Sequence, residues 1–426
     1  MPERVPPARP DGARRPARLP RIEGVTAYLD HAATTPMLPA AIEAMTEELH
    51  HTGNPSSLHT SGRAARRTVE EAREQLAAAL GARPSEVIFT ASGTEADNLA
   101  VKGLFWARRT VDLDRRRILV SGVEHHAVLD PAFWLAAHAG AEIALLPVDG
   151  HGRLDLEALR AELAASGDQG ALISVMAANN EVGAVQPIAD VVAAARPYGI
   201  PVHCDAVQAV GQLPVDFAAS GLHAMSISGH KVGGPVGVGA LLARRDLELT
   251  PLIHGGGQER GVRSGTVNTA AIRAFSVAVV DAVAHQGETA RRLAALRDDL
   301  MARVRAAVPW AVLTGPDIAV VAGATGPARL PSNAHFVFPG CEGDSLLYLL
   351  DSHGVECSTG SACQAGVPQP SHVLLAMGLA EDDARGALRF SLGRSTTRAD
   401  VDALVEVLAE VAERARAAGL AASGPR

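Results

Sequence analysis

Only two lysines occur in the 426 residues, Lys102 and Lys231, and every other basic position apart from histidine is arginine. Arginine holds its proton, whereas lysine can lose it and act as a nucleophile. Lys231 lies in Ser226-Ile227-Ser228-Gly229-His230-Lys231-Val232-Gly233-Gly234, where a β-rich run ends among glycines. That places an amine at the carboxyl end of a strand, a setting for Schiff-base chemistry. Lys102 falls in an amphipathic run and reads as an exposed helix residue. A second reactive type, Cys363, stands in Ser358-Thr359-Gly360-Ser361-Ala362-Cys363-Gln364-Ala365-Gly366. Its small neighbours cannot pack around it, so the sequence predicts a mobile loop carrying a thiol.

Other polar residues sit where further strands end. Asp205, in His203-Cys204-Asp205-Ala206-Val207-Gln208, is either a helix N-cap or a carboxylate that holds a cationic ring nitrogen. Paired with Lys231, the second reading describes what pyridoxal phosphate needs: an imine-forming amine and an acid that keeps the pyridinium protonated. Thr90-Ala91-Ser92-Gly93-Thr94-Glu95 closes a strand and opens a helix, which suits a phosphate or a plain capping box. Ser228 and His230 are further candidate phosphate donors. His125 and its neighbour His126 follow another strand, and either could stack on a cofactor ring or serve the fold. Asn179-Asn180-Glu181 follows a fourth strand, as turn residues or ligand donors. His254–Thr266 is glycine-rich and basic, a linker or a phosphate-binding loop.

These groups need a frame. Strand-like runs occur at 87–90, 117–121, 143–148, 171–176, 202–205, 225–228 and 237–242, with amphipathic runs such as 95–108 and 188–196 between them. Apolar strands alternating with helices predict an α/β fold with a mostly parallel sheet covered on both faces. Ligands bind at the carboxyl ends of such strands. From about residue 269 to 308 the chain reads as one long helix bridging into a smaller α+β unit. That unit has strands near 335–338 and 387–392 and helices near 343–353 and 399–418. The expected division is a large unit over 41–284 and a small unit over 25–40 and 285–426, although 25–39 could fold with either. Residues 1–24, basic and proline-rich, read as a disordered tail.

Bulk properties narrow the classes. The composition is 47% hydrophobic and 20% charged, enough for a sizeable core. A net charge of −8 gives no electrostatic reason to expect nucleic acid as a direct partner. No apolar run is long enough to span a membrane. The four cysteines, Cys204, Cys341, Cys357 and Cys363, follow no zinc spacing and read as reduced thiols of a cytoplasmic protein.

The motifs YLDHAATTP (28–36), NPSSLH (54–59), FTASGTEADNLA (89–100), VEHHAVL (123–129), NNEVGAVQPI (179–188), HCDAVQAVG (203–211), SGHKVGGPVGVGAL (228–241), HGGGQERGVRSGT (254–266), STGSAC (358–363) and LRFSLGRSTT (388–397) occur in this order. Together they resemble the cysteine desulfurases of the class V aminotransferase family, which use pyridoxal 5'-phosphate on fold type I, with a large seven-stranded unit and a smaller one. The cysteine loop resembles that of the long-loop group I. The resemblance implies that Lys231 bonds the cofactor, Asp205 pairs with its ring nitrogen, Gln208 bonds its ring hydroxyl and His125, rather than His126, stacks on the ring. Gly93, Thr94, Ser228 and His230 would hold the phosphate. Thr266 would reach the phosphate of a neighbouring subunit, implying a homodimer. Asn180 and Arg389 would bind the substrate carboxylate, and Cys363 would be the nucleophile. L-cysteine would give L-alanine and a Cys363 persulfide. An acceptor protein, an iron–sulfur scaffold or a tRNA-thiolating enzyme, would then take the sulfur. Competing readings are a selenocysteine lyase on the same scaffold and a carrier that has lost catalysis. The chain departs from the family pattern at Gly93, Gly233 and Cys204.

Overall fold

The computed structural model describes residues 27–317, 327–360 and 370–422. The expected tail, residues 1–24, and Cys363, the expected nucleophile, lie outside them.

Short apolar runs become strands where both faces can be buried. β1 (Ala27–Tyr28) comes first and is paired with a late strand. Seven strands then build the central sheet: β2 (Val87–Thr90), β3 (Arg117–Ser121), β4 (Glu142–Leu146), β5 (Gly170–Ser174), β6 (Val202–Asp205), β7 (Ala224–Ser228) and β8 (Gly239–Ala243). Their spatial order is β2-β8-β7-β6-β5-β3-β4. β8 is antiparallel to both neighbours and the other pairings are parallel. The carboxyl ends of β2, β3, β5, β6 and β7 therefore open onto one edge. Every residue of β5, β6, β7 and β8 is buried, as expected for strands with helices on both faces.

Sequence and structure agree on the bounds of β2, β3 and β6. The run from 269 to 308 differs: it is two helices, Thr269–Ala284 and Gln286–Ala307. His285 separates them, at φ −102° and ψ 7°. Its ring nitrogen lies 2.9 Å from the Asp281 carbonyl, and the Thr289 N–H donates back to the His285 carbonyl. The apolar spacing continues across this break, so periodicity does not reveal it.

A second core forms around β9 (Val312–Leu313), β10 (Asn333–Val337) and β12 (Ala387–Ser391), an antiparallel sheet in the order β12-β10-β9. The helices Gln286–Ala307, Gly343–Ser352 and Arg398–Ala422 pack on it. β11 (Val355–Glu356) pairs with β1 in parallel. The segment 25–39 is open in the sequence reading, and its described part, 27–39, is shared: Leu29 is buried in this second core, while the Leu38 N–H donates to the Gly233 carbonyl and Leu38 packs into the large one. Between these anchors, residues 30–34 cross the edge of the central sheet. No described helix is long and apolar enough to cross a membrane.

Candidate active site

A cavity of about 430 Å³ opens at the carboxyl edge of the central sheet. It gathers Gly93 and Thr94 after β2, His125 after β3, Asn180 after β5, Asp205 and Gln208 at the end of β6, and Ser228, His230 and Lys231 after β7. Arg389 of β12 and Ser358 close it from the other side. Ten of the twelve expected site residues thus meet in one place. Thr266 does not: it is exposed and lies beside Val267, which lines a separate cleft of about 550 Å³ next to Arg73 and Glu259. That cleft holds no lysine and none of the ten, so the chemistry belongs to the first cavity.

Lys231 follows β7 in a short turn of 3-10 helix. Its Nζ donates to the carbonyls of Ala32 and Ala33, both at 2.7 Å, from the crossing segment. Burial, with Arg389 adding repulsion, lowers its pKa from 10.5 to about 8. The amine is therefore poised to lose a proton near neutrality. Gly233, two residues on, has φ +84°, a left-handed conformation that favours glycine, and a Cβ there would meet Leu38 Cγ at 2.9 Å.

Asp205 is 6% exposed, and its Oδ1 accepts the Val207 N–H at 2.8 Å. Burial raises its pKa from 3.8 to about 6, against the pull of Lys231. A buried carboxylate with so few donors is suited to a cationic partner. Gln208 donates its amide to the Ala32 carbonyl at 3.0 Å. His125 caps the helix His126–Ala139 by accepting the Ala127 N–H on Nδ1 at 3.1 Å, and its ring faces the cavity. Desolvation, then Lys231, lowers its pKa to about 4, so the ring is neutral. His126 also lines the cavity, but it turns to Asp130 at 3.0 Å and packs against the His372 ring, 4.9 Å between centroids.

The phosphate-sized end lies at the start of the helix Gly93–Val111, capped by Ser92, whose side chain accepts the Glu95 N–H. Unpaired first-turn N–H groups there favour an anion. A Cβ on residue 93 would meet Val207 Cγ2 at 3.0 Å and Ser228 Cβ at 3.2 Å, so glycine keeps this cradle open. An anion cradle, an amine and a buried carboxylate around one cavity fit pyridoxal phosphate.

At the opposite wall, Arg389 Nη2 donates to Asp30 Oδ1 at 2.7 Å and Nη1 to the Asn180 carbonyl at 3.0 Å. Its Nε is buried without a partner. Sequence reasoning did not find Asp30, the Ala32 and Ala33 carbonyls, or the buried acids Asp97 and Glu124 beside Asp205. Asp30 lies inside the YLDHAATTP motif and was legible there. The carbonyl contacts leave no trace in residue type.

A strand-end lysine and aspartate facing an anion cradle define an α/β enzyme of the pyridoxal-phosphate type. The chain belongs to the class V aminotransferase family, whose model, "Aminotransferase class-V", matches residues 27–404. The "IscS-like cysteine desulfurase" of Mycobacterium tuberculosis is 58% identical over 398 residues, 93% of this chain and 99% of that protein. The "Cysteine desulfurase IscS" of Dictyoglomus turgidum is 43% identical over 91% of this chain and 95% of that protein. Among solved structures, a "NifS-like protein" superposes with a TM-score of 0.82 at 34% identity, covering 91% of this chain and all of that one. The α/β fold of type I, with its mostly parallel seven-stranded sheet, is the one expected from the sequence.

Proposed function

We propose that this chain is a pyridoxal-phosphate-dependent cysteine desulfurase of the long-loop group, which converts L-cysteine to L-alanine and takes the sulfur onto Cys363. The activity is the one its relatives are named for, at up to 58% identity over nearly the whole chain among those described above. The observation that carries the site assignment is the convergence of Lys231, Asp205, His125 and Arg389 on one cavity. When bound, the cofactor supplies an electron sink that loosens the bonds around the substrate's α-carbon.

The side chains divide the rest of the work. The first turn of the helix at Gly93 and Thr94, with Ser228 and His230, would hold the phosphate. Asp205 would keep its charge against the ring nitrogen, Gln208 would bond the ring hydroxyl, and the neutral His125 ring would lie on the ring face. Arg389 would grip the substrate carboxylate with Asn180 beside it, since a guanidinium binds such a group bidentately. Lys231 Nζ, with its lowered proton affinity, would accept the α-proton and return it. The Cys363 thiolate attacks the substrate sulfur. An S–S bond forms as the substrate C–S bond breaks, and the electron pair stays on carbon, which takes up a proton to become the methyl group of alanine. The persulfide then passes to an acceptor thiol, as on an iron–sulfur scaffold or a tRNA-thiolating enzyme. Thr266 would complete the phosphate site of a second subunit. Large and small units would divide as 41–284 against 25–40 with 285–426.

Purified protein given L-cysteine should release alanine, and Cys363→Ala should keep the colour of the lysine-bound cofactor while releasing none. Unchanged alanine release by that variant contradicts the reading.

A further inference from the structure

The glycine-rich segment 254–266 carries a clamp that plays no part in the steps above. Among the described residues, only Glu259 at φ +44° and Arg260 at φ +61° take a left-handed backbone without being glycine. That conformation is strained for a residue with a side chain. Glycines stand on either side, at 255–257 and 261, so the strain is placed where a side chain is needed.

The Glu259 carboxylate holds it. Its Oε2 accepts Arg73 Nη1 and the Phe89 N–H, both at 2.8 Å, and its Oε1 accepts Arg73 Nη2 at 2.7 Å. The Glu259 side chain is 4% exposed. Arg73, on the helix Thr60–Ala79, also donates to the Val87 carbonyl at 2.9 Å and lies over the Phe89 ring, 4.7 Å from its centroid. β2 is an edge strand, and these two side chains satisfy the outward groups of Val87 and Phe89. A bidentate guanidinium–carboxylate pair fixes geometry as well as charge. Here it bolts the loop to the sheet whose strand ends line the cavity.

From Glu259 the order passes to Thr266 in two steps. Gln258 Oε1 accepts the Gly265 N–H at 2.9 Å, so the residue before Glu259 holds the residue before Thr266. Ser264 Oγ accepts the Gly257 N–H at 3.3 Å, and the Gly261 N–H donates to the Gln258 carbonyl at 2.9 Å, closing the loop on itself. A second tie, from Arg263 Nε to Glu95 Oε1 at 2.7 Å, runs to the first turn of the helix Gly93–Val111. Thr266 itself is exposed and does not line the cavity of its own chain. A strained, doubly tied loop thus ends in an exposed hydroxyl residue.

We propose that Glu259 is a positioning residue for the site of a second subunit: clamped by Arg73, it holds the strained loop so that Thr266 meets the neighbour's cofactor phosphate already in place. This rests on the reading of Thr266 as completing the phosphate site of a second subunit. A loop held in one conformation loses little entropy when the phosphate arrives. Removing the Glu259 charge leaves Arg73 its bonds to Val87 and Glu70 but releases the loop. The alternative is that the pair only covers the edge of β2, in which case its loss acts on the phosphate cradle that follows β2 in the same subunit.

Mixed dimers separate the two. Cofactor affinity is read from the visible band of the lysine-bound cofactor, which only a subunit with Lys231 can give. In the Glu259→Gln homodimer the affinity should fall about 10-fold. In a dimer of one Glu259→Gln subunit and one Lys231→Ala subunit, an intact loop completes the coloured site, and the affinity should match wild type within about 2-fold. In a dimer of one wild-type subunit and one carrying both substitutions, the altered loop completes the coloured site, and the loss of about 10-fold should return. Loss in the first mixed dimer, or none in the second, overturns the proposal. Should Glu259→Gln yield no soluble dimer, Arg73→Lys, which keeps the charge but not the fork, takes its place in the same pairings. Thr266→Val in these pairings tells the failures apart. If it acts across the pair and Glu259→Gln does not, this proposal alone fails. If neither does, or the protein is a monomer, the reading of Thr266 fails and the proposal with it.

Discussion

The two walls of the cavity are built on different principles. The wall expected to hold the cofactor is made of strand ends: residues 93–94, 125, 180, 205–208 and 228–231 each follow a strand of a single sheet, and the sheet register sets their spacing. The wall expected to hold the substrate rests on contacts between distant parts of the chain. Arg389 is steered by Asp30, 359 residues away, and Lys231 by the carbonyls of Ala32 and Ala33, 199 and 198 residues away. One crossing segment, 30–34, thus touches the amine of the first wall and the guanidinium of the second. Chemistry on the first wall is fixed by a rigid scaffold. Binding on the second depends on how the smaller core carries its strands against the larger.

Removing a group from each wall separates these contributions. The largest effect is expected from Lys231→Ala, which should lose about 10³-fold or more in kcat, read as alanine release at saturating cysteine. Arg389→Gln should act mainly on KM, raising it about 10- to 100-fold, because it removes a charge-assisted grip while Lys231 keeps its carbonyl partners. A fall in kcat alone would contradict the carboxylate role. Asp30→Asn should give a smaller change of the same kind, about 3- to 10-fold in KM, since Arg389 keeps its hydrogen bond to Asn180. If Asp30→Asn instead matched Lys231→Ala, the two walls would not be separable.

The smallest effect is one of stability, and it concerns the first wall without its ligand. Burial holds Asp205 at about 6 instead of 3.8. A raised carboxyl favours the fold fully below the unfolded value, and that contribution is lost as pH rises through the folded value. Cofactor-free Asp205→Asn should therefore melt a few degrees above the cofactor-free wild type at pH 8, with the gap closing between about pH 6 and 4. Cofactor binding should reverse the order, because the variant lacks the counter-ion. Thermal melts over this pH range, with and without pyridoxal phosphate, provide the check.

The same contrast explains what could be read from sequence. Strands β2, β3 and β6 are continuous apolar runs ended by polar residues, so both their bounds and the groups at their ends were legible. Lys231 stood out because arginine replaces lysine almost everywhere else. The second wall left weaker marks. Arg389 was legible only through its motif, and its pairing with Asp30 is not visible until β1 meets β11 and Asp30 bridges to Ser391. The partners of Lys231 are backbone carbonyls, which every residue has. The break at His285 was hidden because apolar spacing runs through it.

The most direct test of the central claim follows the sulfur. Cofactor-loaded protein is given one equivalent of L-cysteine, and the peptide containing Cys363 is weighed by mass spectrometry while alanine is counted. The expected result is one added sulfur on Cys363, removable by a thiol reductant, in step with one alanine. Alanine formed with Cys363 unmodified, or sulfur found on Cys204, Cys341 or Cys357 instead, would contradict it.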